Sequence, residues 1–464
     1  INGIDDVAYM DRMPVKTSGG FGHKGAKLKH FVELEPTPEH AVRYGFDNAL
    51  QHEYDIMLAR YKECERGQVI WDFNFKDEPV THDKVVKQKC RIFNSGPCAF
   101  IALERQYFLW CVPFLSGKHR HLFGSAIGAN VFGADWATIY HHITRHGVNR
   151  MIAGDYKHFD KSMHAQMSLG AFDILIKLMR DAGWPEEDIT VAMGIATDVC
   201  YPMSNAFGTI IEVEGSNPSG HSLTTIINCI VNIMYIQIAV MHIEEERGDA
   251  IIDYSNFLDY VSLITYGDDN VMSTAYDWIN HVDIAEVLER YEVVYTMADK
   301  ESQLIPFTPI EDIDFLKRKF IPGLHGEGTV GAPLAEESII KMLTVVTKSN
   351  SIHFEQQCAE VISAANREYF QYGKEVCNAK KQFLDGLVDK YNLRPYLNNC
   401  TLLDYEAIFL DIYNDGPSMS EDSEPLREVT ATAQSGFSWI HPEETEMSLN
   451  LVEYSFAVKP LVIR

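Results

Sequence analysis

The stretch from 258 to 273 constrains this chain more than any other. A β-type apolar run over 258–265 is broken at Gly267-Asp268-Asp269 and resumes over 270–273. Two β-prone runs joined by so short a Gly/Asp interval read as a hairpin, because Gly tolerates the positive φ of tight hairpin turns. A hairpin pairs antiparallel, and this one carries two carboxylates at its tip. A second apolar strand, 150–154, ends in Asp155. If the two pair side by side, three carboxylates meet at one sheet edge. Hard divalent cations require such a group, oxygen ligands brought together from separate strands.

The flanking pattern gives the hairpin its setting. Residues 10–30 are rich in Gly and Lys and read as a loop, and 38–66 have mixed helical periodicity. Residues 69–75 read as a strand, 76–91 as a Lys-rich segment and 97–110 as a helix. Helical spacing over 163–181 is stopped by Gly183-Trp184-Pro185. Another apolar strand near 209–213 precedes a loop with Gly215, Pro218 and Gly220, then a long apolar helix. Residues 278–291 form an amphipathic helix with Ile279, Val282, Ile284, Val287 and Leu288 on one side. Strand, helix, strand, helix, hairpin, helix, strand suits an antiparallel sheet with helices on one face, an α/β (α+β) class. Past 332 the pattern is mostly helical, and 415–446 is Ser-, Pro- and Glu-rich.

With 464 residues the chain exceeds one ordinary core, so two to four subdomains are expected. A hydrophobic content of 46% argues against disorder. The net charge of −26 opposes nucleic-acid binding, but twelve acids against three bases in 401–464 supply −9 of it. Residues 12–29 hold Arg12, Lys16, Lys24, Lys27 and Lys29 with no acid among them. The nine scattered cysteines form no Cys-x-x-Cys pair, which fits a reducing compartment. Ile1 in place of an initiator Met suggests a fragment or a product cut from a larger precursor. The apolar stretch Leu223 to Met241 is interrupted by Thr224, Thr225, Asn228, Asn232 and Gln237. Those residues are costly in lipid, so a buried helix is expected and no transmembrane segment.

Further motifs follow in order. Asp155 and Asp160 lie five apart across a strand-to-helix turn, where Asp160 also suits a helix N-cap. Ser219-Gly220 opens a loop that runs into Thr224 and Asn228, four apart and so on one helix face. This ordered set resembles the right-hand RNA-dependent RNA polymerases of picorna-like positive-strand RNA viruses (order Picornavirales). Asp155 to Asp160 resembles the first palm motif, Ser219-Gly220 to Asn228 the second, and Tyr266-Gly267-Asp268-Asp269 the third. Ala298-Asp299-Lys300 resembles the fourth and Phe315-Leu316-Lys317-Arg318 the fifth. Lys76, Lys84, Lys89 and Arg91 match the basic fingers motif, and Thr17-Ser18-Gly19-Gly20 the motif along the template channel.

The resemblance implies a division into fingers, palm and helical thumb. Fingers are expected at 1–110, with the N-terminal part incomplete because Thr17 lies so near the start. Palm is expected at 111–162, a fingers insertion at 163–210, palm again at 211–324 and thumb at 325–414. An acidic C-terminal extension, 415–464, is left unexplained by the resemblance: a tail, an added thumb element or a region that contacts a partner. Implied too are catalysis by Asp155, Asp268, Asp269 and Lys300, and Mg²⁺ (or Mn²⁺) on the three aspartates, with no organic cofactor. Lys76, Lys84, Lys89, Arg91, Asp160, Ser219, Thr224 and Asn228 would bind the nucleotide. Thr17, Ser18, Gly220, Lys317 and Arg318 would line template and primer. RNA, nucleoside triphosphates, a genome-linked protein primer and other viral replication proteins are the implied partners. Membrane-associated replication complexes in the host cytoplasm are the implied location. A reverse transcriptase on the same palm is the first alternative; Asp160 argues against it, since a bulky apolar residue there would be the gate against ribose. The second is a catalytically inactive palm acting as an RNA- or protein-binding scaffold.

Overall fold

The computed structural model describes residues 1–4, 7–38, 40–78, 80, 82–116, 123–299, 302–345 and 352–413. Lys300 and the acidic segment 415–464 lie outside the described residues. In chain order come β1 (Phe31–Leu34), β2 (Arg43–Phe46), α1 (Asn48–Lys62), β3 (Ile70–Phe75), α2 (His82–Val86) and β4 (Ile92–Ser95). Helices α3 (Cys98–Phe108), α4 (Cys111–Ser116) and α5 (Ala134–Ile143) lead to β5 (Met151–Tyr156). After it come α6 (Phe159–Ser162), α7 (Ala165–Asp181), α8 (Glu186–Cys200), β6 (Met203–Ala206) and β7 (Thr209–Glu212). The long α9 (Thr224–Arg247) and α10 (Phe257–Tyr260) precede β8 (Val261–Tyr266), β9 (Asp269–Thr274), α11 (His281–Glu289) and β10 (Tyr295–Met297). Two short strands, β11 (Ile321–Pro322) and β12 (Val330–Gly331), pair before α12 (Glu336–Thr344), α13 (Phe354–Phe370), α14 (Lys374–Lys390) and α15 (Tyr405–Ile412).

Local chemistry sets several of these ends. The Asp47 carboxylate accepts from Leu50 N at 2.8 Å and caps α1, and Asn280 Oδ1 accepts from Val282 N and Asp283 N to start α11. The expected hairpin forms as β8–β9, in a four-stranded sheet of order β10-β5-β9-β8 that is antiparallel throughout.

Every position of β5 is buried, and so are nearly all of β8 and β9, which only cover on both faces can achieve. Ile152, Leu263 and Met272 share a core with α9 and α11 on the face where helices were expected. Met151, Ala153, Ile264 and Val271 belong to a second core with Trp136, Ile139 and Ile143 of α5. The one-sided sheet read from the sequence is thus covered on its other face too. Trp136 is fully buried and stacks on Phe320 (centroids 4.4 Å apart) and Phe315 (6.2 Å). Burying a side chain of this size contributes roughly 3 kcal/mol and staples α5 to the loop before β11.

The second sheet, β4-β3-β6-β7, is mixed, with β3 and β6 parallel. Asn205 Nδ2 donates to Asp72 Oδ1 at 2.9 Å across that parallel pair. The strand expected near 209–213 belongs here, as the outer partner of β6, so a division at 210 falls inside this hairpin. Helices α12 to α14 bury Ile339, Ile362, Ala365, Leu384 and Val388 in a core of their own. Among the described residues, α9 alone is long and apolar enough to cross a membrane by length and composition. Here it is a core helix, with Ile227, Val231, Ile236, Ala239 and Val240 buried against its neighbours.

Candidate active site

The end of β5 and the β8–β9 turn are neighbours. Gly267 and Asp268 form the two-residue turn beyond the last pair, Tyr266↔Asp269. Gly267 has φ +64° and Asp268 is not among the positive-φ residues, the pattern of a type II′ turn with Gly first. Strand β5 pairs Gly154 with Asn270, so one further step sets Asp155 across from Asp269. Asp155 continues the side-chain parity of Met151 and Ala153, and Asp269 that of Val271, so both belong to the α5 side of the sheet. Asp155 is buried, while Asp268 and Asp269 are half-buried. The Tyr156 hydroxyl is pushed well above its ordinary value, chiefly by burial, with the Asp155 and Asp268 charges adding to it. One phenol therefore senses both carboxylates.

A fully buried residue of α9, Asn232, clamps this arrangement. Its Nδ2 donates to Gly267 O and Asp268 O at 3.0 Å each, with Asp269 O at 3.4 Å. Its Oδ1 accepts from Tyr156 OH at 3.0 Å and from Asn270 Nδ2 at 3.2 Å. Asn270 Oδ1 in turn accepts from Tyr295 OH at 2.7 Å. The turn is thereby tied through side chains to β5 and to β10. Among the described residues no three His, Cys, Asp or Glu side chains stand together as a closed metal cage. The donor set nonetheless suits a hard cation. Mg²⁺ takes one or two carboxylates and completes its shell with water and substrate phosphates, so an open pair is the arrangement it uses.

Beside the carboxylates, His158 at φ +60° turns the chain into α6, which carries Asp160 half-buried in its first turn rather than at the N-cap. Asp160 O accepts from Asn217 N at 2.8 Å. A cavity of about 280 Å³ is lined there by Asp160, Lys161, Asn217, Ser219 and Asn94. Ser219 Oγ accepts from Asn94 N at 3.3 Å. A Cβ on Gly220 would fall 1.8 Å from Asn94 O, so only glycine lets this loop lie against β4. Thr224 opens α9 and spends its hydroxyl locally, on Pro218 O at 3.2 Å and His221 O at 2.9 Å. Asn228 Oδ1 accepts from Asn217 Nδ2 at 2.7 Å. Asn217, His221 and Glu104 were not singled out from the sequence, and Asn232 stood out only as a polar interruption of the apolar stretch. The only signal for Asn217 and Asn232 was a polar residue amid apolar ones, or beside a turn, with nothing to reveal its partner.

The remaining expected residues are placed unevenly. Lys76, Lys84, Lys89 and Arg91 are exposed near the β3–β4 end, where Glu78 lies 3.7 Å from Lys76 and 3.4 Å from Arg91. Thr17 and Ser18 sit in an exposed loop; Thr17 Oγ1 accepts from Lys27 Nζ at 2.7 Å, and Ser18 Oγ accepts from Gly20 N at 3.1 Å. Lys317 is exposed. Arg318 is not available to a primer strand. It turns inward, buried, and its guanidinium donates to both Glu368 carboxylate oxygens of α13 (2.8 and 2.9 Å) and to Ala332 O (2.8 Å). Its two terminal nitrogens are already occupied by a bidentate carboxylate and a carbonyl inside the fold.

The sequence profile described as viral RNA-dependent RNA polymerase matches residues 1–385. The replicase polyprotein of Cricket paralysis virus is 29% identical over 361 residues, covering 73% of this chain and 20% of that polyprotein. The RNA1 polyprotein of Andean potato mottle virus is 29% identical over 400 residues, 83% of this chain and 53% of that protein. The chain thus spans about a fifth of the first relative and about half of the second. Among solved structures, the Sicinivirus 3Dpol RNA dependent RNA polymerase superposes with a TM-score of 0.70 at 18% identity. That superposition covers 89% of this chain and 80% of that one, and it shows the right-hand polymerase fold.

Proposed function

This chain belongs to the viral RNA-dependent RNA polymerase family, and on that premise we propose that it extends RNA by template-directed nucleotidyl transfer during viral genome replication. The observation that carries this reading is the meeting of β5 and the Gly267-Asp268 turn under Asn232, which sets Asp155 beside the hairpin carboxylates. In the reaction the 3′-hydroxyl oxygen of the RNA attacks the α-phosphorus of the incoming triphosphate and pyrophosphate leaves. The family generally uses divalent metals; we assign Mg²⁺, with Mn²⁺ as a substitute, to Asp155 and Asp268, with Asp269 adjoining. Bound there, the ions would acidify the 3′-hydroxyl and neutralise charge on the triphosphate.

The chain's own groups do the rest. We assign a ribose 2′-hydroxyl to Asp160 and Ser219, which line one cavity, and to Asn228, which is bonded to the cavity residue Asn217, with Thr224 holding the loop. Lys76, Lys84, Lys89 and Arg91 supply positive charge for the phosphates. Lys300 is the acid for the leaving pyrophosphate. Thr17, Ser18, Gly220 and Lys317 border template and primer, while Arg318 serves the fold. The sheet of β5 with β8 to β10 acts as palm, the sheet of β3, β4, β6 and β7 as part of the fingers, and α12 to α14 as thumb. RNA, nucleoside triphosphates, a genome-linked protein primer and other replication proteins are the proposed partners, at membrane-associated complexes in the host cytoplasm. A polar Asp160 disfavours a reverse transcriptase.

Single-nucleotide incorporation tests the reading. Each of the four ribonucleotides is offered to primer–templates that differ only in the templating base, with Mg²⁺ present. Incorporation that follows base pairing and stops with a chelator is expected. Incorporation indifferent to the template base would overturn it.

A further inference from the structure

Asn217 is buried and sits between the two groups assigned to the ribose. Its backbone N–H donates to Asp160 O at 2.8 Å, and its side-chain Nδ2 donates to Thr224 O at 3.2 Å and Asn228 Oδ1 at 2.7 Å. Its Oδ1 lies 2.8 Å from His221 Nε2, whose ring reaches Glu104 Oε1 through Nδ1 at 2.6 Å. Glu104 Oε2 accepts from Ser222 N at 2.8 Å, and both the His221 and Glu104 side chains are fully buried.

Donor and acceptor parity fixes every amide in this chain of contacts. A backbone carbonyl only accepts, so the Asn217 atom facing Thr224 O is the NH₂ group, and the oxygen faces His221. An amide oxygen and a carboxylate oxygen then flank the imidazole. The same Asn217 NH₂ meets Asn228, which must answer with its oxygen. The NH₂ of Asn228 is thereby directed away, and it has no partner among the described residues. A 2′-hydroxyl both donates and accepts. Asp160 offers it an acceptor and Asn228 NH₂ a donor, a complementary pair. With Asn228 inverted, two acceptors would face a hydroxyl that has one proton.

We propose that Asn217, braced by His221 and Glu104, is a positioning residue for ribose selection: it sets the amide of Asn228 donor-outward and ties it to Asp160. The proposal rests on the ribonucleotide-polymerase reading and is tested without catalysis. Equilibrium affinities of ATP and 2′-deoxy-ATP are measured on the full chain with a primer–template whose primer lacks its 3′-hydroxyl. Asn217→Asp keeps shape and the contact to His221, but can donate neither to Thr224 O nor to Asn228, so Asn228 must turn its NH₂ inward. The ATP to 2′-deoxy-ATP affinity ratio is expected to fall about tenfold, the worth of one lost hydrogen bond to substrate, through weaker ATP binding alone. Asn217→Ala, which removes the hold without inverting it, should fall between. Equal weakening of both nucleotides, or an unchanged ratio beside a lowered melting temperature, would mean a structural role only and overturn the proposal. A wild-type chain that binds both equally overturns it as well. Extension of an unblocked primer is followed in parallel. Its absence beside intact, Asn217-dependent discrimination would refute the polymerase reading and leave this one standing.

Discussion

Replacing Asn232 with leucine asks how much of the site one buried amide holds. The side chain is fully buried and has the branched shape of leucine, whose two methyls are bulkier than the amide, so the polar contacts vanish and some overpacking is added. Tyr156 OH and Asn270 Nδ2, both in residues at most 2% exposed, lose their acceptor. Each orphaned donor costs about 1–3 kcal/mol, and the turn carbonyls of Gly267 and Asp268, nearer solvent, add less. A total of roughly 3–5 kcal/mol is expected, a large share of the 5–15 kcal/mol that stabilises a typical domain. Activity should suffer further, since a misplacement of about 1 Å at reacting groups costs on the order of 100-fold. Urea denaturation and single-nucleotide incorporation over a Mg²⁺ series are the assays. The variant should also need more Mg²⁺ for half-maximal rate, because Asp268 is no longer held relative to Asp155. Asn232→Asp keeps the acceptor but loses the donations and adds charge near both carboxylates, so its activity should fall more than its stability. Loss of less than about 1 kcal/mol with a wild-type Mg²⁺ dependence would refute the clamp.

Arg318→Ala should cost about 3–5 kcal/mol by leaving Glu368 buried and unpaired, while the salt dependence of RNA affinity stays unchanged, since no phosphate contact is lost. Lys76→Ala and Arg91→Ala should raise KM for nucleotides several-fold and leave stability within about 0.5 kcal/mol, as both side chains are exposed. Burial lowers His281 from 6.5 to about 4, so the unfolded chain gains a proton at a pH where the folded one does not. That contribution is complete above pH 6.5, declines as pH falls toward about 4, and amounts to about 3 kcal/mol; His281→Phe should flatten the stability–pH curve over that window in urea titrations.

The hairpin, β3, α3, β5 and α11 were legible because periodicity and turn chemistry act locally. Gly267 has to adopt positive φ at the turn, and the apolar run ending at Asp155 has to be a strand. Long-range polar partnerships were not legible. His221 and Glu104 are 117 residues apart, and Asn232 reaches a turn 35 residues on, yet nothing in composition distinguishes them from ordinary polar residues. The α5 cover escaped for a related reason. Uniform burial along β5 calls for two covered faces, but the helix that supplies the second precedes the strand and announces no target. Arg318 followed motif position, whereas Glu368 on α13 decides where it points. The Asp155 to hairpin juxtaposition, by contrast, followed from reading two strands as neighbours, and the register of β5 with β9 makes them so.

Primer extension on a short RNA hairpin, with four ribonucleotides and Mg²⁺, beside Asp268→Ala, tests the central claim most directly. Full-length, template-copied product from the wild-type chain and none from the variant is the expected result. Product that persists in Asp268→Ala, or none from the wild-type chain with either Mg²⁺ or Mn²⁺, would contradict it.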